Sequence, residues 1–266
     1  MTGHRTLRHR CTALWAPART AILCCAALIG CTSWGPSVLS GPEAGTAGRT
    51  SSTYVLALGD SVPAGTACGC APFPDLYASK LATDAQATDL ARPGLTSGDL
   101  LSQIDDPAIQ ATIRSASIIV IMVGANDLAA VFAAGGDTAA YHRAATAVDA
   151  NVTAALRRAR AVRAAFIPIL VLGYWNVVED GDVARADYSA ADTTQAAIVT
   201  GYTNNALQAA ATAGFATYVP TLPAFKGSNG TADPTGLLSG DGDHPNARGH
   251  AAIAAALYAA QPTTTP

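Results

Sequence analysis

No stretch of this 266-residue chain reaches the about 20 consecutive apolar residues that a helix needs to cross a bilayer, which excludes a helical membrane span. Positive charge is not in excess either: 16 Lys and Arg stand against 19 Asp and Glu, for a formal net charge of -3. Arg5, Arg8, Arg10 and Arg19 all precede residue 30, so the remainder is more acidic still, and that balance excludes nucleic acid as a partner. Cysteine is scarce after the N-terminus, where Cys11, Cys24, Cys25 and Cys31 leave only Cys68 and Cys70, with no further Cys or His nearby at zinc-binding spacing. No metal or other cofactor is therefore expected. Internal repeats are lacking, which excludes solenoids and propellers. What is present is a chain 50% hydrophobic, enough to bury one substantial core, and one domain is expected rather than two.

An arginine-rich stretch followed by the short apolar run 21–28 reads as an export signal over residues 1–30. Its end, Leu28-Ile29-Gly30-Cys31, resembles a bacterial lipobox, and the resemblance implies acylation of Cys31 and a lipid anchor on a cell-surface protein. An ordinary secretory signal cleaved somewhat later is the other reading, and both export the protein. Residues 31–52 are rich in Gly, Ser, Pro and Thr without apolar periodicity, as in a flexible tether, and 262–266 form a Thr/Pro tail. In an oxidising compartment Cys68 and Cys70 form a candidate disulfide, although the ring is very small, and two free thiols are the alternative.

Between residues 53 and 261 apolar runs alternate with helix-like segments. Strands are expected near 54–58, 88–91, 117–123, 166–172 and 216–219, and helices near 75–83, 97–115, 138–164, 194–213 and 247–260. Alternation of this kind implies parallel strands joined by right-handed crossovers, hence a three-layer α/β/α sandwich around a mostly parallel five-stranded sheet, flavodoxin-like in outline. The run Ile118-Ile119-Val120-Ile121-Met122-Val123 has no polar alternation, as a strand covered on both faces requires. In such sheets the site lies beyond the carboxyl ends of the strands, so motifs that follow strands gain weight.

Four segments meet or approach that condition. Gly59-Asp60-Ser61 places a serine on the turn after the first strand, where a nucleophile would be exposed; alone it reads more readily as a turn or cap. Arg92-Pro93-Gly94 follows the weak second strand, and the Gly94 amide is placed to face the same crevice. Gly124-Ala125-Asn126-Asp127 follows the central strand, where the Asn126 amide donates without a charge that would interfere with proton transfer, and a helix cap is the simpler role. Asp241-Gly242-Asp243-His244-Pro245 supplies an imidazole and a carboxylate three residues apart; Asp243 is the poorer partner because adjacent side chains diverge. His142 and His250 read as structural or solvated.

The ordered set resembles the four sequence blocks of the SGNH hydrolases, the GDSL esterase/lipase family, over nearly all of the folded region. The resemblance implies an exported bacterial serine esterase or lipase that acts through an acyl-enzyme. It assigns Ser61 as nucleophile, His244 as base, Asp241 as its partner, and the Ser61 amide, Gly94 amide and Asn126 side chain as oxyanion hole. Pro93 departs from the small or polar residue usual before that glycine. The implied partner is a small-molecule, lipid or acylated-glycan ester bound by a monomer. An acyltransferase, or a surface binding protein without activity, on the same fold is the alternative. Tyr174 and Trp175 either line an acyl or sugar pocket or pack on the core, and the connection 175–192 is a candidate lid. Cys68, Cys70, Pro72 and Pro74 are expected to shape a rim of the site.

Overall fold

The computed structural model describes residues 52–261. The expected signal at 1–30, the anchor at Cys31, the tether up to residue 51 and the tail at 262–266 lie outside the described residues. The chain runs β1 (Tyr54–Gly59), α1 (Phe73–Leu81), β2 (Gln86–Asp89), α2 (Ser97–Ile104), α3 (Pro107–Ser115), β3 (Ile118–Met122), α4 (Ala125–Ala133) and α5 (Thr138–Val162). It continues with β4 (Ile169–Leu172), α6 (Gly181–Asp187), α7 (Ala190–Ala213), β5 (Thr217–Val219), α8 (Leu222–Lys226), a 3-10 turn (Thr235–Leu237) and α9 (Ala247–Ala259).

The five strands form one sheet in the order β2-β1-β3-β4-β5, every pair parallel. Helices α2, α4, α5 and α7 pack together as one layer, and α1, α8 and α9 as the other, so the architecture is the expected three-layer sandwich. β3 lies at the centre, and Ile119 to Met122 are buried there, which is why its sequence shows no polar alternation. Small residues let the long α5 and α7 approach closely: Ala155 and Ala159 of one and Ala206, Ala210 and Ala211 of the other are all buried.

Three local differences from the sequence reading have plain causes. The single helix expected at 97–115 is two, because Asp106 caps a new helix, accepting from the Ala108 N–H at 2.8 Å, and Pro107 opens it. β4 starts at Ile169 rather than 166; Pro168 has no N–H for the ladder, and Phe166 is 79% exposed. Finally, α7 starts at Ala190 because Ser189 and Asp192 form a capping box, so the expected lid between 175 and 192 holds α6 and the first turn of α7.

Candidate active site

All strands being parallel, Gly59, Met122, Leu172 and Val219 end on the same side of the sheet, and the four motifs emerge there. At the end of β1, Gly59 has φ +139°, and a Cβ on it would stand 1.9 Å from the Met122 carbonyl oxygen, so no other residue fits. The Asp60 N–H still pairs with the Met122 carbonyl at 3.0 Å; beyond it the chain coils into a turn, closed by the Thr66 N–H on the Ser61 carbonyl at 3.0 Å. Ser61 is thereby lifted to the mouth of the crevice, half-buried.

The second motif is a β-turn closed by the Leu95 N–H on the Arg92 carbonyl at 3.1 Å, with Pro93 and Gly94 at its two central positions. Gly94 has φ +78°, the conformation that a proline-glycine turn of this type requires of its third residue, and this accounts for Pro93. The third motif grips the second. Asn126 donates one amide hydrogen to the Leu95 carbonyl at 3.0 Å, and Asp127 accepts from the Ser97 N–H at 2.9 Å and from its hydroxyl at 2.7 Å. The role of Asp127 was not legible in the sequence, because its partner is thirty residues away at the start of α2.

In the fourth motif His244 Nδ1 lies 2.7 Å from Asp241 Oδ2, whereas Asp243 stays at 3.9 Å, so Asp241 is the partner of the imidazole. The second oxygen of Asp241 accepts the backbone N–H groups of His244 at 3.0 Å and Asp243 at 3.1 Å. Burial opposes ionisation of Asp241, but the His244 backbone and ring hydrogen bonds, with that of Asp243, outweigh it and hold its carboxyl below the usual range. The loop itself is braced from 180: the Asp180 N–H donates to the Gly242 carbonyl at 2.8 Å, and Lys226 meets the Asp180 carboxylate at 2.6 Å in a largely buried pair. Gly242, with φ +69°, packs so closely that a Cβ would stand 2.5 Å from Val183 Cβ.

Ser61, Asn126 and His244 line one narrow cleft of about 50 Å³, floored by Asp60, Tyr174 and Trp175. Asp241 stands behind His244. Gly94 does not line that cleft; it borders a neighbouring depression of about 420 Å³ with Arg92, Pro93, Leu95 and Asp99, joined to the cleft through the Asn126–Leu95 bond. The sequence profile of the GDSL-like Lipase/Acylhydrolase family matches residues 57–252, well over half of the chain, with all four motifs inside it. The chain belongs to that family.

Solved structures resemble this GDSL-like hydrolase in fold. The lipase Lip_vut3 from a goat rumen metagenome is 21% identical with a TM-score of 0.62, covering 79% of this chain and 97% of that one. An extracellular lipase from Streptomyces rimosus is 19% identical, TM-score 0.59, covering 79% and 100%. Phospholipase A1 from Streptomyces albidoflavus NA297 is 17% identical, TM-score 0.58, covering 79% and 100%. No curated protein matches the chain significantly in sequence.

The partners of several residues around the GDSL-like motifs had no signature in the sequence. Tyr174 and Trp175 are both buried: Tyr174 donates its hydroxyl to Asp60 Oδ2, and Trp175 stacks on Phe225 with ring centroids 3.9 Å apart. They line the floor of the cleft and are at the same time packed on the core, so the two expectations for this pair meet in one position. Cys68 and Cys70 are joined as a disulfide, with Cα atoms 5.1 Å apart, and their sulfurs lie within 4.8 Å of a ring nitrogen of His250. Fully buried on α9, His250 accepts the Phe73 N–H at Nδ1 at 3.1 Å, satisfying the first amide of α1, whose preceding Pro72 offers no side-chain cap. The cysteine segment thus packs against α9 and is not among the residues lining the cleft.

Asp60 is 1% exposed, and burial pushes its carboxyl up to about 7, against the pull of the Tyr174 and Val62 hydrogen bonds. A carboxyl raised from its ordinary value of 3.8 contributes stability that is full below that value and is lost as the pH rises through about 7. The melting temperature of the wild type minus that of Asp60→Asn is therefore expected to fall steadily across this window and level off above it. A difference independent of pH between 4 and 8 would show that Asp60 is not the titrating group.

Proposed function

We propose that this GDSL-like hydrolase is a serine esterase that cleaves short-chain carboxylic esters through an acyl-enzyme on Ser61. The observation that carries the reading is the meeting of Ser61, Asn126 and His244 at one cleft, with Asp241 on the far side of the imidazole. With its Nδ1 hydrogen directed to Asp241, His244 presents the Nε2 lone pair as base. It takes the Ser61 proton as the hydroxyl attacks the ester carbonyl, then returns that proton to the departing alcohol; water repeats the sequence on the acyl-enzyme. The negative charge on the tetrahedral carbon's oxygen is held by the second amide hydrogen of Asn126 and by backbone N–H groups. Those of Ser61 and Gly94 have no acceptor among the described residues; the Ser61 amide belongs to the cleft, whereas Gly94, which borders the neighbouring depression, is the outer donor of the set.

The size of the cleft, with Tyr174 and Trp175 closing its floor, favours an acetyl- or butyryl-sized group over a long chain. Hydrolysis of p-nitrophenyl esters of graded length tests this: kcat/KM is expected to peak at two to four acyl carbons. A folded wild type that hydrolyses none of them would overturn the enzyme reading, and a peak at long chains would overturn the size argument alone.

Asn126→Ala is expected to lower kcat on the order of 100-fold, the usual loss for one oxyanion donor, with KM nearly unchanged. An unchanged kcat in the purified variant would remove Asn126 from the site.

A further inference from the structure

With every strand parallel, the strand starts and the C-terminal ends of the helices that feed them gather at the base of the sheet, opposite Ser61. Charge is distributed unevenly along that axis. The base carries Lys80 in the last turn of α1, Arg114 in that of α3, Arg157, Arg158 and Arg160 near the end of α5, and Arg163 just beyond it. Among the described residues the acids facing them there are Asp84, Asp105 and Asp106, the second paired with Arg158. The active-site end is acidic on balance: Asp75, Asp99, Asp127, Asp137 and Asp192 stand beside the carboxylates of the site itself against Arg92, Arg143 and Arg248, while Arg185 is paired with Asp182 and Asp233 and Lys226 with Asp180. Cations at helix C-termini complement the helix dipoles. The dipoles do not explain the aromatic residues among them.

Phe166 and Phe215 are 79% and 78% exposed. Arg160 joins them into one patch: its guanidinium lies 4.3 Å over the Phe166 ring and donates to the Phe215 carbonyl at 2.7 Å. Phe215 stands at φ +55° just past the end of α7, a position whose left-handed backbone favours glycine, and its side chain gains almost no burial there. The chain also enters the domain at this end, since β1 begins at the base.

We propose that the base docks on an anionic phospholipid bilayer, with Phe166 and Phe215 at the headgroup boundary, Lys80, Arg114 and Arg157 on the phosphates, and Ser61 facing away from the membrane; Arg158, Arg160 and Arg163 are held by Asp105 and by backbone carbonyls. Charge complementarity selects the orientation, because the acidic end is repelled by the same surface. An exposed phenylalanine ring buries its apolar surface at the headgroup–acyl boundary, while cations beside it meet the anionic headgroups. In this orientation the site takes esters from the side away from the bilayer on which the protein rests. The inference is independent of the esterase reading.

The test is sedimentation of the full chain with phosphatidylcholine vesicles, with and without phosphatidylglycerol, for the wild type, Phe166→Ser, Phe215→Gly and the double variant Arg114→Glu/Arg157→Glu. The wild type is expected to bind the anionic vesicles on the order of tenfold more tightly, and the double charge reversal to abolish that preference. Each phenylalanine variant is expected to weaken binding several-fold, and Phe215→Gly to do so while raising Tm, which separates docking from unfolding. Equal binding to both vesicle types, or no change in the phenylalanine and charge variants, would overturn the proposal. So would variants that alter self-association in the absence of vesicles, which would make a second copy of the chain the occupant.

Discussion

Ser61→Ala is expected to lower kcat for a short p-nitrophenyl ester by about 10⁴- to 10⁶-fold while leaving the fold intact, the scale of loss seen when a triad nucleophile is removed. The physical case is specific to this turn. Ser61 is half-buried, and its hydroxyl makes no bond on which the turn depends; the turn is held by the Ser61 carbonyl, by Asp60 and by the backbone of residues 62–66. Alanine keeps all of those bonds, so thermal stability is expected to change little. What remains in the variant is the oxyanion pocket and the imidazole, which still bind the ester and activate water weakly. Paired measurement of kcat and Tm checks both halves. A variant with more than about a tenth of the wild-type rate would mean that Ser61 does not form the covalent intermediate.

The second large effect is expected at Asp241. Asp241→Asn preserves an oxygen for the backbone N–H groups of Asp243 and His244, so the loop stays closed, but it no longer accepts at the position facing His244 Nδ1 in the required tautomer. The imidazole then loses both its orientation and the compensation of its positive charge in the transition state. A fall in kcat of about 10³- to 10⁴-fold with little change in KM is expected. Asp243→Asn is the control, since its carboxylate lies 3.9 Å from the same nitrogen rather than 2.7 Å, and it is expected to change kcat far less. If the Asp243 variant proves the more damaging, the roles of the two acids are reversed.

The elements that were legible in the sequence are those that local chemistry specifies. The unbroken run at 118–123 declared a strand covered on both faces, and alternation of strands with helices declared a parallel sheet, so the end at which Ser61, Asn126 and His244 emerge followed from connectivity. Gly59 and Gly94 were visible as punctuation because backbone at positive φ has few alternatives to glycine. Asp241 over Asp243 was arguable from spacing, since a separation of three lets a side chain fold back on its own loop. Element boundaries were less legible: the split at Asp106-Pro107 and the early start of α7 at Ser189 depend on caps that compete with helical periodicity.

Contacts made across the fold had no local signature. Tyr174 and Asp60 are 114 positions apart, and nothing in either segment says that one hydroxyl will meet the other's buried carboxyl beside Ser61. His250 lies on an alanine-rich helix whose partner face is settled only when α9 packs on α1, and Gly94 borders the neighbouring depression on a turn tied to Asn126 through the Leu95 carbonyl. The chain's own order of residues was enough to name the family blocks and the chemistry they can perform, because turns, strands and acid-base pairs are short-range matters. How those groups are buried, which raises Asp60, closes the cleft floor and gathers arginine and phenylalanine at the base, depends on distant segments excluding water from one another.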